Sequence, residues 1–249
     1  MTQARILQKQ PDRYQVGTFI KTASPHVVEV LGTSKLDFGV LDAEHAPLDR
    51  AALDLMMMAG RAAGLPLLVR IPDKNPATLL SVLDMGAAGL LVPHVDSVDD
   101  ARAVVNHARF RGGQRGFSGS PRFAGYGSLG MKQALTAGDE ALIICQIESP
   151  QAVACAAEIA ALSGVDGLFI GRADLALAMG IEDAKHPDVA AAADRSIAAA
   201  LAAGKLAGVF TASVAERDAY AAKGVNWFVF GSDQSLMRQA ADASAHPTR

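Results

Sequence analysis

The feature that most limits what this chain can fold into is an alternation met eight times along it. A short apolar run stops at a polar, glycine or proline residue, and an Ala- and Leu-rich stretch with helical spacing follows. The runs are GTFIK (17–21), FGVLD (38–42), LLVRI (67–71), GLLVP (89–93), LIICQIE (142–148), GLFIG (167–171), LAGVF (206–210) and WFVFG (227–231). Helical spacing marks 25–32, 48–64, 76–86, 98–109, 150–163, 188–204 and 212–224. Several of these stretches close on Gly, which accepts the left-handed conformation of a helix end. Strands apolar on both faces that alternate with helices read as parallel βαβ units. Eight units in 249 residues fit one closed (β/α)8 barrel spanning 1–249. The other α/β solution, an open doubly wound sheet, requires a Gly-rich phosphate turn after the first strand, and KTASPH (21–26) has none.

A ninth run, RGFS (115–118), lies inside a Gly/Ser/Pro-rich stretch, 110–130, between the fourth and fifth strands. It is assigned to an active-site loop, because loops of this length in compact domains are usually functional. Half of the residues are apolar and a fifth charged, enough for a large core. Net charge is −3 with scattered basic residues, which argues against nucleic acid as a partner. Cys145 and Cys155 sit in apolar surroundings and read as reduced core residues, suiting a cytoplasmic protein. No apolar run approaches the roughly 18 residues of a membrane span. The opening MTQARILQKQPDRYQ has no signal-peptide core.

In such a barrel chemistry gathers at the C-terminal ends of the strands. Strand one ends at Lys21, strand two in Asp42-Ala43-Glu44-His45, strand three in Arg70 and strand four in Pro93-His94. Strand five ends in Gln146-Ile147-Glu148, and strand six runs into Gly171-Arg172-Ala173-Asp174. Charges converging on one mouth are costly unless they pair or hold an ion. Glu148 and Asp174, from adjacent strands, are the metal candidates: two hard carboxylates suit Mg2+ or Mn2+. Against this stands helix capping, since Glu148-Ser149-Pro150 has the look of a helix start. Without a Cys/His cluster zinc is not expected. Arg70 suits a carboxylate or a developing oxyanion, or else an ion pair with a neighbouring carboxylate. His45 and His94 are equivalent candidates for a general base, and spacing does not rank them. Lys21 offers Schiff-base chemistry, or a rim ion pair. His26, His107, His186 and His246 read as solvated. Met56-Met57-Met58 and the Ala-rich 190–203 stretch read as helix packing.

The segments LDAEHAPLD (41–49), LVRIP (68–72), LDMGAAGLLVPHV (83–95), QIESP (146–150) and GVDGLFIGRADLALAMG (164–180) occur in order through nearly the whole chain. Together they resemble the HpcH/HpaI family of class II, metal-dependent pyruvate aldolases. The resemblance implies a phosphoenolpyruvate/pyruvate-domain-like barrel that makes or breaks a carbon–carbon bond next to pyruvate, with an aldehyde as the other partner. It implies a divalent ion (Mg2+, Mn2+ or Co2+) on Glu148 and Asp174, Arg70 at the keto or enolate oxygen, and His45 in the acid–base apparatus paired with Asp84. Glu44 is implied beside metal-bound water, Gln146 along the pyruvate pocket, and the amides of Ala173 and Asp174 at the substrate carboxylate, in keeping with anion binding at helix N-termini. Lys21 and Arg172 are candidates to stand behind these ligands and to shape the aldehyde side of the pocket. A homohexamer is implied too, with the C-terminal helix after Ser232 packed on a neighbour.

Where the family often carries Pro this chain has Arg172, and where it often carries Ser this chain has Ala176; an aromatic that is commonly Trp appears as Phe19. The family's RG-x-G-x-x-RA-x-x-YG loop appears as RGFSGSPRFAGYG (115–127). These departures leave the pyruvate half intact and bear on the aldehyde half. Three rivals stand beside this reading: a Schiff-base aldolase using Lys21, a citrate-lyase-like acyl-CoA lyase, for which no basic patch offers a CoA site, and a non-catalytic barrel.

Overall fold

The computed structural model describes residues 13–245. Eight strands buried on both faces pair in parallel, in chain order, and the last returns to the first. They are β1 (Gln15–Ile20), β2 (Phe38–Asp42), β3 (Leu67–Arg70), β4 (Gly89–Val92), β5 (Leu142–Ile147), β6 (Gly167–Ile170), β7 (Leu206–Thr211) and β8 (Trp227–Ser232). The helices are α1 (Pro25–Gly32), α2 (Arg50–Ala63), α3 (Pro76–Asp84), α4 (Val98–Ala108), α5 (Met131–Asp139), α6 (Pro150–Ala154), α7 (Ala156–Ala161), α8 (Arg172–Ala178), α9 (Pro187–Ala202), α10 (Val214–Ala221) and α11 (Asp233–Ala245). The closed barrel is the architecture that the eightfold alternation predicts.

Side chains alternate between two apolar layers, as the strand period of two demands. One layer fills the barrel: Phe38 lies flat on Trp227 with ring centroids 4.4 Å apart, and Phe169 meets Trp227 edge-on. The barrel is therefore a packed core, and its polar chemistry is confined to the mouth. The other layer lies between strands and helices, with Leu41, Val69, Leu90 and Ile143 facing Met56, Leu79 and Val104. Local signals start the helices where expected. Asp49, Asn75, Ser97, Ser149 and Ser213 each accept a first-turn amide.

Three local expectations need correction. The stretch 150–163 is two short helices, broken at Cys155 where the backbone leaves the helical region. Helix α5 has no counterpart in the sequence reading, because it buries only Ala134 and Gly138 and so carries no stripe of large apolar residues. The histidines divide: His26 is exposed, but His107 is half-buried and His186 turns its Nδ1 to the Asp188 amide at 3.2 Å. His246 lies outside the described residues. The run 115–118 forms no strand and belongs to the loop, which ends in a short 3-10 turn, Arg122–Gly127.

Candidate active site

Strand register builds the centre of the mouth. Asp42 and Arg70 are directly paired on β2 and β3, so their side chains emerge side by side. Arg70 donates from Nε and Nη2 to the two Asp42 oxygens at 2.9 and 2.7 Å. Lys21 Nζ lies 3.2 Å from the same carboxylate. Burial alone would raise the Asp42 pKa; the hydrogen bonds and charge of Arg70, the His45 amide and Lys21 outweigh it and hold Asp42 below its ordinary value. The guanidinium also rests on the Phe19 ring, 4.5 Å from its centroid. Arg70 is thus ion-paired, and the pair fixes it in the wall of a cavity. Lys21 lines that cavity too, with its ammonium engaged by Asp42.

A second group adjoins Arg70. His94 has a φ of 54°, a left-handed conformation uncommon outside glycine. In that conformation its amide donates to Glu148 Oε1 at 2.6 Å, while its ring reaches Glu148 (3.1 Å) and Glu44 (3.2 Å). Glu44 lies 3.4 Å from Arg70 Nε and 3.5 Å from His45 Nε2. Burial raises the Glu44 pKa above its ordinary value, although Arg70, His45 and His94 pull it down; Glu148 adds to the rise. Spacing did not separate the two histidines. The His94 ring bridges Glu44 and Glu148, while the His45 ring reaches Glu44 and its amide donates to Asp42 at 3.1 Å.

Glu148 is buried and bonded to the Gln146 amide. It is not the cap of the helix that follows: Ser149 takes that role, accepting from the Ala152 amide at 3.1 Å. Gly171 makes room for this carboxylate, since a Cβ there would sit 3.1 Å from Glu148 Oε2 and 3.0 Å from its Cβ. Asp174, in the first turn of α8, lines the cavity with Ala173 and forms no side-chain hydrogen bond or ion pair among the described residues. No group of three or more His, Cys, Asp or Glu side chains among the described residues makes a complete metal cage. The donors present still suit a hard cation. Asp174 is uncommitted, and Gln146 Oε1 is buried without a hydrogen-bond partner among the described residues. A two-carboxylate site that leaves positions for water and substrate oxygens is the Mg2+-like pattern.

The expected His45–Asp84 pair is not formed within this chain. Asp84 ends α3 and accepts from Arg115 Nη2 at 2.8 Å, whereas His45 faces Glu44. Arg115 is fully buried between Phe110 and Phe123, 4.3 and 4.6 Å from the ring centroids, and also donates to the Gly138 carbonyl. Asp84 thus holds down the long loop. Its helical position carries no catalytic signal in sequence.

The cavity, about 790 Å³, opens between β3 and β5 on one side and β6 to β8 on the other. On the β7 side Arg172 donates to the Phe210 carbonyl (2.9 Å) and to Glu216 (2.6 Å), with its guanidinium over Tyr220. Phe210 stacks on Phe19 at 6.2 Å. Glu216, Lys185 and Phe210 went unnoticed in sequence because they lie after strand seven, inside it, or in a loop with no motif.

The mouth of the closed parallel barrel thus presents a fixed arginine, acidic strand ends and two histidines that share Glu44. Residues 15–240 match the HpcH/HpaI aldolase/citrate lyase family model, and the chain belongs to that family. It is 35% identical over 228 residues to 5-keto-4-deoxy-D-glucarate aldolase of Shigella dysenteriae, covering 91% of this chain and 89% of the relative. It is 36% identical over 231 residues to 2-keto-3-deoxy-L-rhamnonate aldolase of Klebsiella pneumoniae, covering 92% and 86%. A crystal structure of a family protein from Burkholderia cenocepacia superposes with a TM-score of 0.91 at 32% identity, covering 97% and 96% of the two chains.

Proposed function

We propose that this chain is a divalent-metal-dependent aldolase that cleaves or forms 2-keto-4-hydroxy acids, yielding pyruvate and an aldehyde. The observation that carries this reading is the Arg70–Asp42 pair: a guanidinium fixed by a bidentate carboxylate in the wall of the cavity that Asp174 also lines, with Glu148 reached from it through Glu44 and His94. Glu148 and Asp174 would hold the ion (Mg2+, Mn2+ or Co2+), which when bound supplies Lewis-acid stabilisation of enolate charge. Arg70 places its positive charge where the keto oxygen gains negative charge as C3–C4 breaks. The amides of Ala173 and Asp174, which open α8 and have no partner within the helix, would donate to the substrate carboxylate. His45, backed by Glu44, would take the proton of the C4 hydroxyl. The C3–C4 electron pair passes into the enolate, the aldehyde leaves, and protonation at C3 gives pyruvate. In the reverse direction the same groups carry out aldol addition.

The test is pyruvate release from a panel of 2-keto-4-hydroxy acids. We expect EDTA to abolish it and added Mn2+ or Mg2+ to restore it. Activity that survives chelation and is lost on borohydride treatment with pyruvate would replace this reading with Schiff-base chemistry at Lys21. We take the working protein to be a cytoplasmic homo-oligomer, a homohexamer by resemblance. Helix α11 buries only Asp233 and leaves Met237 exposed, in keeping with a role against a neighbouring subunit. No helix among the described residues is long and apolar enough to cross a membrane.

A further inference from the structure

Among the described residues, His94 and Tyr126 are the two other than glycine with a positive φ. Tyr126 is exposed on the long loop, whereas His94 lies at the barrel mouth against Glu44 and Glu148. A left-handed backbone costs energy wherever a Cβ is present, and it persists only where the surrounding contacts hold it. At His94 those contacts grip both sides of the residue. Its amide donates to Glu148 Oε1 at 2.6 Å, and its carbonyl accepts from Lys74 Nζ, also at 2.6 Å. A return of φ to negative values would turn one of these groups away from its partner.

Lys74 is itself held in place. It stands in the connection 71–75 between β3 and α3, while His94 stands in 93–97 between β4 and α4. The first connection is shaped locally: Asp73 accepts from the Asn75 amide at 2.8 Å, and the Asn75 side chain caps α3. Across the gap Asp100, in the first turn of α4, accepts from the Lys74 ammonium at 2.8 Å. The other Asp100 oxygen accepts from the Ser97 hydroxyl at 2.8 Å and the Asp96 amide at 3.3 Å. Burial pushes the Asp100 pKa up, but hydrogen bonds from Lys74 and Ser97 and the charge of Lys74 outweigh it, so Asp100 stays ionised. One cation thus ties two neighbouring loops at the carbonyl of the left-handed residue. Lys74 does not line the cavity, and its partners are the His94 carbonyl and Asp100.

We infer that Lys74 is a positioning residue: by holding the His94 carbonyl, it keeps the left-handed turn that fixes Glu148 for the ion. The inference rests on the proposed role of Glu148 as a metal ligand in the aldolase, and adds a residue outside the cavity on which that ligand depends. Lys74 acts through the His94 backbone, so its effect requires a residue with a Cβ at that position. Its charge acts in the opposite sense, because a cation near the site disfavours a second one.

The experiment measures the Mn2+ dissociation constant of the full-length protein, freed of metal with EDTA, from the electron paramagnetic resonance signal of unbound Mn2+. Lys74→Met should weaken Mn2+ binding about tenfold, the effect of losing an outer support of a metal ligand. The Lys74 side chain is 32% exposed, so the fold should survive, and thermal unfolding checks that it does. In the His94→Gly background the turn needs no pin, since glycine takes the left-handed conformation freely. There Lys74→Met should change the constant by less than about threefold. Unchanged or tighter binding in Lys74→Met, loss of its fold, or an equal loss in both backgrounds overturns the positioning role. Exchange of the pyruvate C3 protons with solvent deuterium, followed by NMR on the Mn2+-loaded wild-type enzyme, reads the aldolase assignment alone. Exchange together with any of those outcomes spares the aldolase, whereas a wild-type protein that binds no Mn2+ overturns both.

Discussion

Asp42 shows how much one residue at a strand end can carry. It is fully buried, holds Arg70 with two hydrogen bonds and touches Lys21, so removing its charge strands a buried guanidinium. Breaking one partner of a buried pair typically costs about 3–5 kcal/mol. Asp42→Asn should therefore lower stability by about 3 kcal/mol in urea unfolding, at the lower end because Lys21 is partly exposed. The pH dependence has a definite sign. The folded-state pKa of Asp42 is lowered from 3.8, so its stabilisation is present above about pH 4 and is lost as pH falls through the folded value. Between pH 6 and 3 the wild-type protein should lose more stability than Asp42→Asn; parallel curves would refute the assignment. Arg70→Ala should cost about 100-fold or more in kcat, by analogy with the loss of an oxyanion donor.

Gly171 belongs to the scale of elements, because it governs how closely β6 and α8 approach the end of β5. With its φ at −86° the backbone itself accepts any residue, so Gly171→Ala tests space and not strain. Its added Cβ would press on Glu148 and lie 3.3 Å from the Gln146 amide nitrogen. Displacing a ligand's supporting contacts commonly costs 10–100-fold in metal affinity. We expect the Mn2+ concentration for half-maximal activity to rise about tenfold or more in Gly171→Ala. An unchanged metal requirement would separate Glu148 from the ion. Strand ends and the barrel period were legible because each depends on local patterning. The break at Cys155 and helix α5 were not, since small buried residues leave little apolar signal.

At the scale of the whole molecule, Arg115 ties the longest connection in the barrel to the scaffold. It is sandwiched by Phe110 and Phe123 and bonded to Asp84 and Gly138, linking the loop, α3 and α5. Arg115→Met should destabilise by about 3 kcal/mol, somewhat tempered by the partial exposure of Asp84. At roughly 2–4 °C per kcal/mol for a chain of this size, the melting point should fall by about 6–12 °C. Limited proteolysis should then cut first within 110–130; unaltered cleavage there would show that the loop is held by other contacts.

Sequence alone determined the barrel, the strand ends that carry chemistry and the residue types gathered there, because the apolar period and the place of polar residues after each strand are local properties. It named Glu148, Asp174, Arg70 and His45 yet left each with a structural alternative. Tertiary structure set the partners of those side chains. Register set Asp42 beside Arg70, the left-handed turn at His94 aimed it between Glu44 and Glu148, and Ser149 relieved Glu148 of capping. It also gave Asp84 to Arg115. Partnership between side chains far apart in sequence follows from strand order and closure, which no local pattern of residues encodes.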